Sequence, residues 1–148
     1  MSPPGDSAVA DVRAEPIALL HPALDRESVT LEQNAIQARQ LGSFEVAAEL
    51  FARASELEDD LRKELDLQIR QACCLLAVER HEEAAALAEI VANRARAEGF
   101  LAELADALGL IVDHHMRSDR LAEAANVLAE AMYTLEQLPN EARHYQVV

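Results

Sequence analysis

From Ser28 onward, apolar side chains recur every three or four residues with few interruptions, the spacing of a helix that buries one face. Leu31, Ala35, Ala38 and Leu41 mark a first helix. After a break at Gly42-Ser43, Phe44, Ala47, Ala48, Phe51, Ala54 and Leu57 mark a second. A second pair starts at Asp59 or Asp60, either of which suits an N-cap, and runs through Leu61, Leu65, Ile69, Ala72, Leu75 and Leu76. It turns at Glu79-Arg80 and continues through Ala84, Leu87, Ala88 and Val91 to Gly99. A third pair holds Leu101, Leu104, Leu108, Ile111, Val112 and His115, turns at Ser118-Asp119, and resumes at Leu121, Ala124, Ala125, Leu128, Ala131 and Leu135 until Pro139-Asn140. The predicted class is all-α, with antiparallel helix pairs joined by short turns.

The three pairs align on one another. Phe44-Glu45-Val46-Ala47, His81-Glu82-Glu83-Ala84 and Leu121-Ala122-Glu123-Ala124 open the second helices, with 37 residues from Ala47 to Ala84 and 40 from Ala84 to Ala124. Counting on by four and then three gives Phe51 and Ala54, Ala88 and Val91, and Leu128 and Ala131. Twelve residues before each aligned alanine stand Ala35, Ala72 and Val112. Small residues at these points let helices approach closely, and a self-similar helix pair at a period of this size is the signature of a solenoid.

Ala47-x-x-x-Phe51 and the small residue in each helix resemble the tetratricopeptide repeat family over residues 28–138, about three repeats. The periods exceed that family's 34 residues, its first-helix Trp and Gly are replaced, and no proline closes the first two repeats. A divergent, long-helix version is similar to the regulatory segments of bacterial signalling proteins such as transcription activators and diguanylate cyclases; neither output domain's signature is present. The resemblance implies an antiparallel helix-pair superhelix whose first helices line a concave groove. The alignment places Gln33, Ile36, Arg39, Ile69, Arg70, Cys73, Leu76, Leu110, Asp113, Met116 and Arg117 in it.

Outside the repeats, residues 1–15 combine Pro, Gly, Ser and acids without apolar period and read as a disordered leader. Residues 16–27 hold a proline-bracketed apolar cluster, a docking segment of at most a turn or two of helix. Residues 139–148 resemble the opening of a further first helix. They read as truncated, so that a downstream domain or a second copy is expected to cover the open end.

Composition sharpens this reading. In 148 residues, 29 Ala and 21 Leu but only 3% aromatic side chains favour close-packed helices over a β-sandwich or barrel. One lysine beside twelve arginines, with so much alanine, is the composition of a GC-rich bacterial genome. A net charge of −14 repels phosphate backbones and anionic lipid, so neither nucleic acid nor a membrane is an expected partner. No apolar run reaches the length of a membrane span and no secretory leader opens the chain, which points to the cytoplasm.

Candidate chemistry is sparse. His114 and His115 are adjacent and cannot converge on one ion from a helix; His81-Glu82-Glu83-Ala84 lacks the second histidine of a zinc-protease motif; His21 and His144 are isolated. Asp59-Asp60 and Glu82-Glu83 suit helix starts, where carboxylates meet the positive end of the dipole. Cys73 and Cys74 have no evident activating base and read as free thiols. No phosphate-cradling glycine loop or nucleophile elbow occurs, so no enzyme, metal or cofactor is expected. The groove's Ile36, Ile69, Leu76, Leu110 and Met116 beside three arginines suit a peptide or protein partner with an acidic group. Three alternatives stand beside that: the apolar residues pack within the array, Leu19, Leu20 and Leu24 fill the groove, or Arg39, Arg70 and Arg117 clamp a small anion.

Overall fold

A computed structural model describes residues 17–139. Among them are six α-helices and no strand: α1 (Ile17–Gln40), α2 (Phe44–Leu57), α3 (Leu61–Ala77), α4 (His81–Glu98), α5 (Leu101–Arg117) and α6 (Leu121–Gln137). The all-α class and each break between Gly42 and Asp119 agree with the apolar spacing. Asp60 caps α3, its carboxylate accepting from the Lys63 N–H at 3.3 Å. The expected leader at 1–15 and nearly all of the segment at 139–148 lie outside the described residues, as do the side chains of Leu19, Leu20 and Leu24. No helix among the described residues is long and apolar enough to cross a membrane.

The docking segment expected at 16–27 is not a separate element. α1 runs unbroken from Ile17 through Pro22 to Gln40. Pro22, the sixth residue, removes the donor that would bond the Ala18 carbonyl and crowds that carbonyl, but the helix continues through it. Ser28, expected to open the helix, is buried inside it. Its hydroxyl donates to the Ala54 carbonyl at 3.2 Å and faces Glu58 Oε1 at 3.4 Å, so it ties α1 to the end of α2.

One kind of turn recurs along the backbone, after each first helix and again at Gly99 between α4 and α5. Each first helix ends on a left-handed residue, Gly42, Glu79 or Asp119, at φ 82°, 64° and 58°. The next N–H, of Ser43, Arg80 or Arg120, reaches back five residues to Ala38, Leu75 or His115 at 2.8, 2.9 and 2.8 Å, the longer bond of a Schellman turn. The carbonyls of those same three residues then accept the first helical bonds, from Ala47, Ala84 and Ala124, at 2.9, 3.1 and 2.9 Å. The alanines aligned from sequence are thus the residues that each turn positions.

Sustained packing runs from each helix to the next along the chain, and α3 also meets α5. Two cores result. One gathers Leu31, Ala35, Ala47, Phe51, Leu67, Leu75 and Ala84 from α1 to α4; the other gathers Leu65, Ile69, Val91, Leu104, Leu108 and Ala131 from α3 to α6. Leu110 packs against both. Ala47, Ala84 and Ala124 are all buried, and their small side chains leave room for a neighbouring helix. Ion pairs link the helices, within the second pair at Arg94–Glu64 (2.9 Å) and between pairs at Lys63–Glu32 (2.9 Å), Arg62–Glu103 (3.0 Å) and Arg96–Glu130 (2.9 Å).

Candidate functional site

The residues assigned to the groove separate into three groups. Ile36, Leu76 and Leu110 are half-buried against the first core and form a shallow apolar wall. Ile69 belongs to the second core at 8% exposure and is withdrawn from any ligand. Gln33, Cys73, Met116 and Arg117 are exposed. Packing within the array therefore accounts for Ile69 fully and for the wall in part.

The charged members are engaged one by one. Arg39 extends over the Phe51 ring at 5.8 Å, a cation–π contact with α2. Arg70 pairs with Asp66 at 3.1 Å and Arg117 with Asp113 at 2.8 Å, each one turn away on its own helix. Such pairs exchange partners easily, being worth only about 0.3–0.5 kcal/mol. Three guanidinium groups spread over separate local partners do not form the convergent fork that an anion clamp requires.

Cys73 is exposed on α3, which packs on α5. Crowding by protein atoms pushes its thiol up, and the Asp106 carboxylate of α5 pushes the same way, against the opposing influence of Arg39 from α1 and Arg70 from α3. Arg39, Arg70 and Asp106 thus all act electrostatically on the Cys73 thiol. Cys74 is buried, and burial holds its thiol above the ordinary range as well. Neither thiol is prepared for nucleophilic attack, which needs the thiolate. Asp106 is absent from the residues assigned by alignment; its only signal in the sequence is its place one turn before Leu110.

A second recess, about 480 Å³, opens at the turn edge between Glu79, Arg80, His81, Glu82, Glu83, His114, Arg117 and Ser118. Arg80 donates to both Glu83 oxygens at 2.8 and 2.7 Å and holds that carboxyl below the usual range. Nδ1 of His81 and of His114 is buried without a hydrogen-bond partner. Charges of both signs line it, and no group of three or more His, Cys, Asp or Glu side chains among the described residues could hold a metal.

No protein-family model matches the sequence, and neither a curated protein nor a solved structure does. The surface around the exposed Cys73 of α3 remains the best-defined candidate. It combines an apolar wall, an exposed thiol and alternating Arg and Asp side chains. Such a surface can hold a chain segment by apolar contact and charge-assisted hydrogen bonds, but it supplies no activated nucleophile or metal centre.

Proposed function

We propose that this chain is a non-catalytic, tetratricopeptide-like repeat module whose first helices α1, α3 and α5 present a groove to a peptide or partner protein, as the regulatory segment of a signalling protein. The observation that carries this reading is the threefold turn. Three equivalent left-handed turns, each followed by a buried alanine, support this reading, in which the first helices share one side of the array. Ile36, Leu76 and Leu110 offer shallow apolar contact, while Arg39 and Arg70 act electrostatically on Cys73. A segment with an apolar anchor and a neighbouring carboxylate matches both, because the Arg70 pair with Asp66 is exposed enough to exchange partners. The overall charge of −14 supports a protein partner over nucleic acid or anionic lipid.

Selection of random displayed peptides on the folded chain tests this reading. Cys73→Arg and Met116→Glu alter exposed groove positions without touching either core. Selected peptides should bind the unaltered chain and lose about tenfold or more in affinity to at least one variant. Failure to enrich any sequence, or binding indifferent to both substitutions, would contradict it.

A further inference from the structure

The turn edges of the first two helix pairs share one backbone form but not one chemistry. Where α2 begins beside the end of α3, Phe44, Val46, Cys74, Ala77 and Val78 occupy the positions that His81, Glu83, His114, Arg117 and Ser118 occupy where α4 begins beside the end of α5. Apolar residues thus give way to polar ones at every one of these places. Phe44 packs against the core that holds Cys74, whereas their counterparts His81 and His114 line the recess of about 480 Å³. Both imidazoles leave Nδ1 enclosed and unbonded. Enclosing a polar atom without a partner costs stability that Phe and Cys avoid at the same places, and such a cost incurred at a cavity of this size points to a ligand.

The charges of the lining narrow the ligand's class. Arg80 gives Nε and one terminal nitrogen to Glu83, but Arg117 gives only Nε to Asp113, so both of its terminal nitrogens remain for a ligand. Among the described residues, no side-chain hydrogen bond or ion pair engages Glu79, Glu82 or either imidazole. An anion alone would gain Arg117 but meet three carboxylates, those of Glu79, Glu82 and Glu83. A cation alone would gain the glutamates but meet Arg117 and the positive start of α4. A small molecule that carries both charges satisfies both, and the ring nitrogens add donors or acceptors beside it. We propose that this recess binds a small zwitterion with a carboxylate and an ammonium group, of which a free α-amino acid is the simplest, its carboxylate toward Arg117 and its ammonium toward Glu79 and Glu82. The site shares only Arg117 with the residues assigned to the groove and stands independently of the peptide reading above.

Thermal unfolding of the full chain in single amino acids tests this, with sodium acetate and methylammonium chloride at matched ionic strength as single-charge probes. At least one amino acid should raise Tm progressively with its concentration, and neither single-charge probe should do so. His81→Phe and His114→Cys, which restore the residues of the first turn edge, should each weaken that response about tenfold or more while leaving the helical circular dichroism intact. Arg117→Gln, at an exposed position, should weaken it as much without disturbing the fold. Cys73→Arg, outside the recess, should leave it unchanged. A Tm indifferent to every amino acid up to about 10 mM would overturn the inference. So would an equal response to acetate or to methylammonium alone, which would mean a site for a single charge, or binding that survives all three recess substitutions.

Discussion

α2 and α6 begin with the same turn, the same capping geometry and the same buried alanine, yet they occupy different environments. α2 lies between α1 and α3, and its Phe51 is wholly enclosed by the first core; α6 packs chiefly on α5, with Arg96 of α4 paired to its Glu130, and its Leu128 is 47% exposed. Local sequence sets the form of each helix pair, but neighbours decide what an apolar residue contributes. The same type of side chain at the same repeat position is core in one place and surface in another.

Substitutions at matched positions break or sharpen this contrast. Phe51→Ala should cost about 3–5 kcal/mol in urea denaturation of dilute protein, whereas Leu128→Ala should stay within about 0.5 kcal/mol; similar costs would erase the distinction. At the points of close approach, Ala84→Leu is expected to cost about 1–3 kcal/mol by overpacking, while Ala122→Leu on the open face should change little. The turns are expected to respond alike in all three repeats. Glu79→Gly and Asp119→Gly should each stabilise by about 1 kcal/mol, and Gly42→Ala should destabilise by a similar amount, because a Cβ is strained in the left-handed region even with open space around it. The smallest effect is alkaline. Burial raises the Cys74 thiol in the folded chain, so its contribution is complete below the unfolded thiol's value of about 8.5 and fades as pH rises through the folded one. Stability measured at pH 7 and pH 10 should therefore show a smaller alkaline loss in Cys74→Ala.

The helices were legible because this sequence states them at several levels at once. Apolar spacing, Gly42 and Gly99, the Asp60 cap and the repeated alanines all mark the same boundaries. What escaped was decided by three-dimensional contact. Pro22 argued for a break, but α1 carries it near its start. Ile69 shares the helical spacing of the groove residues and yet turns into the second core. Arg39 reads as a groove cation, while Phe51 draws it across the ring face. Asp106 carries no pattern beyond its offset from Leu110, and only the meeting of α3 with α5 brings it to Cys73. Periodicity reports which face of a helix is apolar; it does not report which neighbour that face meets.

The three helix pairs follow one another along the chain, with sustained contact only between neighbours and between α3 and α5, and the proposed function needs them to form an open array. Spin labels on the exposed positions Val46 of α2, Ile90 of α4 and Tyr133 of α6, with Cys73 and Cys74 replaced, measure this directly by pulsed electron resonance. The distance from α2 to α6 should clearly exceed both the distance from α2 to α4 and that from α4 to α6. An α2–α6 distance as short as the other two would mean a closed bundle around one centre, and the shared side of the first helices would be lost with it.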